Sequence, residues 1–181
     1  MLRAAGLLTF VAVFLAQGTA SQNCTEERTD AFEVIHNLPH TAAVYSSVQD
    51  PSLLCATADL LYFSRQEGKL GYLIHLKGLD GTTKQDVTYD YTNTTDPSVI
   101  ILAVNNDTSN PIPSISLYSD YETCSVFKYE YSSGQDQCIL YVDRAAVNNI
   151  PPICVEKLQC ACGSAFSLYD NATCSNTDGS A

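Results

Sequence analysis

The chain has 181 residues, with 20 acidic and 9 basic side chains and a formal net charge of −11. This acidity argues against nucleic acid, heparin and anionic membrane surfaces as partners. The length suits one domain with a hydrophobic core. No segment beyond residue 20 has the roughly 18 consecutive apolar residues that span a bilayer.

The first 20 residues have the pattern of a secretory signal peptide. Arg3 precedes an apolar run over residues 7–16, and the small residues Gly18, Thr19 and Ala20 follow. We therefore expect cleavage after Ala20, one mature domain over 21–181, and a secreted, extracellular protein.

All eight cysteines lie after residue 20. An even number of cysteines in a secreted chain predicts four disulfide bonds and no metal site. Four Asn-x-Ser/Thr sequences predict N-glycosylation in exposed loops. The cysteines are Cys24, Cys55, Cys124, Cys138, Cys154, Cys160, Cys162 and Cys174, and the acceptor asparagines are Asn23, Asn93, Asn106 and Asn171.

The stretch TDAFEVIHNL predicts a short N-terminal helix. Asp30 is its expected cap, Phe32, Ile35 and Leu38 share one helical face, and Pro39 ends it. From residue 41 onward, alternating apolar and polar residues between turn sequences predict eight strands. The expected strands are roughly 41–48, 54–65, 69–79, 83–92, 98–104, 112–119, 123–131 and 137–142.

The connections between these strands are too short for parallel pairing. Eight antiparallel strands predict an all-β, up-and-down barrel that can hold one small ligand, with a two-sheet sandwich as the main alternative. The stretch NNIPPICVEKLQCACG predicts a C-terminal helix packed outside the barrel, with Asn149 as its cap. The tail after it is expected to be extended and to fold back through Cys174.

Several segments, in this order, match one known pattern. They are CTEERTDAF, YSDYETCSVFKYE, QCILYV, NNIPPIC and YDNATC, joined by the spacing of Cys55, Cys124, Cys154 and Cys174. On these segments the chain resembles the salivary lipocalins of ticks, the tick histamine-binding protein family. The resemblance implies an eight-stranded antiparallel lipocalin barrel that the short N-terminal helix closes at one end.

The resemblance also implies two disulfide pairs, and the remaining four cysteines can pair in two ways through the Cys-x-Cys sequence. The implied pairs are Cys55–Cys174 and Cys124–Cys154. The pairs that we prefer for the rest are Cys138–Cys162 and Cys24–Cys160.

Amine-binding members of the family have acidic residues that this chain lacks. Ile139 occupies the position where those members have the glutamate of Glu-Leu-Trp, and Tyr141 occupies the position of the tryptophan. Ser125 and Leu38 occupy two further acidic positions. Burying an ammonium ion without a carboxylate costs several kcal/mol, so we expect no amine site on this hairpin. Asp50 matches an acid near the other end of the barrel, and it is either a ligand residue or a turn former.

Tyrosines are the other candidates for ligand contacts. Eleven tyrosines and no tryptophan predict an aromatic cavity with hydroxyl groups, unless these side chains serve only as core packing. Such a cavity suits an apolar or amphipathic ligand, such as a leukotriene or a fatty acid. The candidates are Tyr72, Tyr89, Tyr91, Tyr129 and Tyr141.

We therefore expect a monomeric binding protein without a cofactor that sequesters a small host mediator and so counters host inflammation and defence. Family resemblance suggests histamine or serotonin, whereas the missing carboxylates favour a lipid. The alternative is a lipocalin that binds a host defence protein such as a complement component. An enzyme is not expected, because His36, His40 and His75 accompany no Ser–His–Asp order, zinc spacing or phosphate loop.

Overall fold

A computed structural model describes residues 27–175 of the chain. Its eight main strands are β1 (His40–Ser46), β2 (Thr57–Ser64), β3 (Lys69–Lys77), β4 (Lys84–Asn93), β5 (Val99–Val104), β6 (Ile112–Ser119), β7 (Cys124–Tyr129) and β8 (Gln137–Asp143). Each strand is antiparallel to its neighbours in sequence, and β1 also pairs with β8. Because β1 pairs with β2 as well, the sheet closes on itself. The fold is the predicted eight-stranded lipocalin barrel and not the two-sheet sandwich.

Alternation along the strands separates the barrel interior from its outer surface. In β4, Val87, Tyr89 and Tyr91 belong to the interior apolar cluster, whereas the carboxylate of Asp86 bonds to His75 on the outside. The strand ends lie within three residues of the predicted ones. The largest difference is the later start of β2, because residues 51–53 form a 3-10 turn and Cys55 has a left-handed φ of +57°.

Helix α1 (Ala31–Asn37) closes one end of the barrel, as predicted. The carboxylate of Asp30 caps it by accepting hydrogen bonds from the backbone N–H of Phe32 at 3.0 Å and of Glu33 at 3.1 Å. The backbone N–H of Ala31 donates to the carbonyl oxygen of Pro97 at 2.8 Å, which ties the helix to the loop between β4 and β5.

Helix α2 (Pro152–Cys162) packs outside the barrel against β6, β7 and β8. Its buried residue Leu158 lies in a second apolar cluster with Val126 and Leu140. The prediction of Asn149 as its cap is wrong. The N–H of Asn149 bonds to the carbonyl oxygen of Ala146 in a preceding turn, and no side chain caps the helix. The prolines at its start lack N–H donors, so fewer groups need a cap.

The C-terminal tail folds back along the barrel. Strand β9 (Phe166–Ser167) pairs with β1, and a short helix α3 (Asn171–Cys174) follows it. The prediction of an extended tail is therefore wrong for the α3 residues, because the Asp170 carboxylate accepts a hydrogen bond from the N–H of Thr173 at 3.0 Å and starts a helical turn. Within residues 27–175, no helix has both the length and the apolar character needed to cross a bilayer.

Candidate functional site

The barrel encloses a cavity of about 30 Å³ between α1 and the strands. A cavity of this volume holds about two water molecules, because one water needs roughly 10–15 Å³. A bound ligand therefore requires wall side chains to move. All five candidate tyrosines line the cavity, and the other lining residues are Val34, Ile35, Leu38, Thr41, Ala58, Ile74, Ser125 and Phe127.

Three tyrosine hydroxyl groups form a chain across the cavity. The Oη atom of Tyr129 lies 2.9 Å from that of Tyr141 and 3.4 Å from that of Tyr91. Burial raises the pKa of all three phenols well above the usual tyrosine value, so they remain neutral hydrogen-bond donors at physiological pH. The chain presents hydroxyl groups and aromatic faces to a ligand, and no charge.

Tyr72 connects the cavity to α1. Its hydroxyl group donates to the carbonyl oxygen of Ile35 at 3.0 Å and also contacts the carbonyl oxygen of Leu38. These carbonyls lie at the C-terminal end of α1, where backbone acceptors have no partner within the helix. The bond therefore fixes the end of α1 to β3 and stabilises the helix as part of the cavity wall.

The outer side of α1 is held by one ion pair and by ring contacts. Glu33 pairs with Arg65 just after β2. The rings of Phe32 and His36 pack on Phe63, with centroid distances of 4.9 Å and 4.1 Å. This ion pair contributes only about 0–1 kcal/mol. The inner side of α1 is buried in the interior cluster through Val34, Ile35 and Leu38, so displacement of the helix would expose apolar surface.

The cavity wall has no charged side chain among the described residues. Leu38 and Ser125 line it at two positions where the family resemblance implies acids, and Ile139 is 3% exposed in the same interior cluster. An ammonium ion in this cavity would lose its hydration without gaining a carboxylate partner.

Asp50 does not line the cavity. Its carboxylate accepts hydrogen bonds from the N–H of Ser52 at 3.1 Å and from the Nε2 of Gln137 at 3.1 Å. The first contact starts the 3-10 turn over residues 51–53, which is the turn-forming role. A ligand role for Asp50 remains a prediction.

Sequence reasoning missed Gln137. Gln137 is 6% exposed, donates to Ser46 Oγ and Asp50, and accepts a hydrogen bond from the hydroxyl of Tyr131 at 3.3 Å. The alternation of β8 could have predicted that Gln137 is buried, because it lies on the same face of the strand as Ile139.

The described disulfide bonds join β7, β8 and the segment before β2 to the C-terminal segment. They are Cys55–Cys174, Cys124–Cys154 and Cys138–Cys162. The first two are the pairs that the resemblance implies, and the third is the preferred pair. Cys160 is also disulfide-bonded, whereas Cys24, its predicted partner, lies outside the described residues.

The sequons and histidines lie apart from the cavity. Asn93, Asn106 and Asn171 are exposed, and Asn23 lies outside the described residues, so glycosylation remains a prediction at all four. His40 and His75 bond to Asp59, which lies outside the interior cluster.

One cluster of metal-ligating residue types occurs within residues 27–175, formed by Asp120, Cys124 and Cys154. Its two sulfur atoms are joined in a disulfide bond, so they are not available as thiolate ligands.

Known proteins resemble the chain in sequence and in fold. The family described as "Tick histamine binding protein" matches residues 70–176. A search of curated proteins finds no match. Among solved structures, "Crystal Structure of AM182 Serotonin Complex" has a TM-score of 0.56 and 16% identity, over 79% of this chain and 91% of that chain. A structure of the siderocalin Ex-FABP has a TM-score of 0.48 and 14% identity, over 68% of this chain and 80% of that chain.

Since the family match covers more than half of the sequence, the chain belongs to the tick histamine-binding protein family, whose lipocalins are binding proteins and not enzymes.

Proposed function

We propose that this protein is secreted and sequesters a small apolar or weakly polar host mediator, of the lipid class, inside its barrel. The observation that carries the proposal is the cavity wall, which combines five tyrosines with aliphatic side chains and has no charged group among its lining residues. Aromatic and aliphatic walls with a few hydroxyl groups suit a largely apolar ligand.

A biogenic amine is the ligand that family membership suggests, and AM182 has been crystallised with serotonin. The absence of charged side chains from the cavity wall argues against an amine ligand. Burial of an ammonium ion costs several kcal/mol, and a cation–π contact returns only about 0.5–2 kcal/mol. The tyrosines cannot supply the missing negative charge, because burial raises their pKa and keeps them protonated.

The cavity is equally poor at neutralising a lipid carboxylate. No lysine or arginine lines the cavity. Arg65 pairs with Glu33, and Lys128 pairs with Glu130 at 2.9 Å, both outside the cavity wall. We therefore expect the hydrocarbon part of the ligand to occupy the interior. Its polar group would accept hydrogen bonds from the tyrosine hydroxyls or remain at the barrel mouth.

Binding requires the cavity to expand. Its volume of about 30 Å³ is far below the roughly 300–1,000 Å³ of small-molecule sites. The aliphatic side chains of α1 form part of the wall, and the outer side of this helix is held by the Glu33–Arg65 ion pair and by contacts of Phe32 and His36 with Phe63. Displacement of α1, together with rotation of tyrosine side chains, is the proposed route to an open cavity.

Thermal unfolding of the secreted, oxidised protein with individual ligands tests the proposal. A ligand at 100 times its dissociation constant adds about 2.7 kcal/mol, which raises Tm by roughly 5–10 °C for a chain of this size. We expect this increase with a leukotriene or a long-chain fatty acid, and none with histamine or serotonin at the same concentrations.

A matched pair of variants locates the effect. Ala58→Leu adds three carbon atoms to the cavity wall, and Ala103→Leu makes the same change on β5, outside the interior cluster. The Tm increase caused by the lipid should disappear in Ala58→Leu and remain in Ala103→Leu. Two results contradict the proposal. One is a lipid-induced Tm increase that remains in Ala58→Leu, and the other is an amine-induced Tm increase that this variant removes.

The alternative function, binding of a host defence protein through the barrel surface, is favoured by the same small cavity volume. It predicts no Tm increase with any small ligand. It also predicts that Ala58→Leu and the wild type inhibit complement equally in a haemolysis assay, whereas the lipid proposal predicts inhibition by neither.

A further inference from the structure

The hydroxyl groups of Thr41 in β1 and Ser125 in β7 lie on the barrel interior without a hydrogen-bond partner among residues 27–175. These residues are only 5% and 3% exposed. In the same part of the chain, every fully enclosed side-chain nitrogen or oxygen atom has a partner. The two hydroxyl oxygens must therefore border open space, and the cavity is the open space that both residues line. We call these two groups the hydroxyl pair.

The hydroxyl pair lies toward the end of the barrel that α1 closes. Both strands pair with β8, where Thr41 lies opposite Asp143 and Ser125 lies opposite Tyr141. These partners are near the C-terminal end of β8. Leu38, which follows α1, lines the same cavity. The pair is therefore a feature of one end of the cavity and not of the whole wall.

The hydroxyl groups of the cavity tyrosines have different surroundings. Those of the tyrosine chain bond to one another, and that of Tyr72 bonds to the end of α1, so a ligand must break these contacts to use them. The hydroxyl of Tyr89 has no hydrogen-bond partner among the described residues. It interacts electrostatically with Asp50, which bonds to Gln137 at the start of β8, so Tyr89 lies toward the opposite end of the barrel.

The chemistry of the hydroxyl pair favours one kind of polar group. An apolar group placed against the pair would displace water and leave buried hydroxyls unpaired, which weakens binding. A carboxylate or an ammonium ion would bring a charge to a wall that has no opposite charge among its lining residues. A neutral alcohol group donates and accepts hydrogen bonds, and so do the hydroxyls of serine and threonine. An uncharged alcohol therefore fits this end of the cavity best.

We propose that the hydroxyl pair is a specificity-determining subsite that hydrogen-bonds the alcohol group of an uncharged, hydroxyl-bearing lipid. This inference rests on the proposed function, because it requires a largely apolar ligand inside the barrel. It adds the class of lipid and the orientation of the ligand, with the alcohol group toward α1 and the hydrocarbon part toward the opposite end. A fatty acid would bind without the hydrogen bonds of this subsite.

Calorimetric titration of the secreted, oxidised protein with three ten-carbon probes tests the subsite. The probe 1-decanol carries the alcohol group, 1-chlorodecane carries an apolar end group of similar size, and decanoate carries a charge. In the double variant Thr41→Val/Ser125→Ala, the affinity for 1-decanol should fall by about tenfold, since each of two lost hydrogen bonds contributes roughly threefold. The affinities for 1-chlorodecane and decanoate should not fall, because neither probe uses the hydroxyl pair.

Two further measurements separate binding from stability. Thr92→Val is the matched control, because it makes the same change on an exposed residue of β4, outside the interior cluster. Its affinities for all three probes should equal those of the wild type. The Tm of the ligand-free double variant is the second readout. Loss of hydroxyls without a protein partner should leave Tm unchanged, whereas a structural role of these hydroxyls would lower it.

Several results would overturn this inference. The double variant could keep its affinity for 1-decanol, or it could lose affinity for 1-chlorodecane or decanoate to the same extent. Both results leave an apolar ligand in the barrel intact. A tenfold loss of 1-decanol affinity in Tyr89→Phe, without a loss in the double variant, would place the alcohol group at the opposite end. A decrease in Tm of the ligand-free double variant would show a structural role. If the wild type binds none of the three probes, the proposed function fails as well, so the two failures are distinguishable.

Discussion

Removing the hydroxyl group of Tyr129 tests whether the tyrosine chain is a coupled network. Among the described residues, this hydroxyl is the hydrogen-bond partner of both Tyr141, at 2.9 Å, and Tyr91, at 3.4 Å. Tyr129→Phe therefore leaves two hydroxyl groups without a protein partner. A buried polar group that loses its partner costs about 1–3 kcal/mol, and water in the small cavity would offset part of this cost.

We expect Tyr129→Phe to lower the free energy of unfolding by about 2 kcal/mol, which corresponds to a Tm decrease of roughly 4–8 °C. Tyr141→Phe should cost about half as much, because Tyr129 keeps its contact with Tyr91. The double variant removes the 2.9 Å bond completely and leaves only Tyr91 unpaired. Its cost should be about 1 kcal/mol smaller than the sum of the single costs.

Urea unfolding of the oxidised protein measures these differences. Tyr62→Phe is the matched control, because that hydroxyl bonds to Asp90 at 2.8 Å on an exposed side chain and its loss should change stability by no more than about 0.5 kcal/mol. Strictly additive costs for Tyr129→Phe and Tyr141→Phe would refute the network and indicate that water satisfies each hydroxyl independently.

Three further predictions follow from the cavity and the disulfide bonds. Ser125→Asp introduces a carboxylate into the cavity wall and should produce calorimetric binding of histamine that the neutral variant Ser125→Asn lacks. The buried tyrosines have a higher pKa in the folded state than in the unfolded state. Their contribution to the free energy of unfolding is therefore complete below about pH 10, the unfolded pKa, and is lost as the pH rises toward the folded-state pKa. The free energy of unfolding should then fall by about 1.4 kcal/mol per pH unit for each phenol, as urea titrations at increasing pH would measure. Loss of the Cys55–Cys174 bridge, which spans 119 residues, should cost about 5 kcal/mol, against about 3.5 kcal/mol for Cys138–Cys162, which spans 24. Equal unfolding midpoints for the two double-alanine variants would contradict that ranking.

The barrel could be predicted because side chains alternate regularly in strands such as β4, whose pairing with β3 has no register shift. Tyr89 and Tyr91 in β4 lie two residues apart, and the structure brings both to the same interior wall. The predicted cap Asp30 also occupies its expected place, because a capping carboxylate acts within three residues of its own position. Local patterns of this kind specify element types and the directions of side chains.

Features that depend on three-dimensional packing could not be read from the pattern. The volume of the cavity depends on how far α1 enters the barrel, which is set by contacts such as that between Tyr72 and the carbonyl of Ile35. These residues are 37 positions apart, and no local signal joins them. The prediction of Asn149 as a cap was wrong for a different reason. Asparagine is a suitable capping residue, but α2 begins at the consecutive prolines without a side-chain cap.

We propose that this lipocalin, with the family barrel and an interior wall without charged side chains, takes an apolar ligand. Site-resolved amide NMR tests it most directly, with titrations of the wild-type protein by a long-chain fatty acid and by serotonin. We predict that the fatty acid shifts resonances of the strands that carry Tyr91, Tyr129 and Tyr141, and that serotonin leaves them unchanged. Serotonin-induced shifts at these interior positions, without a response to the fatty acid, would contradict the account.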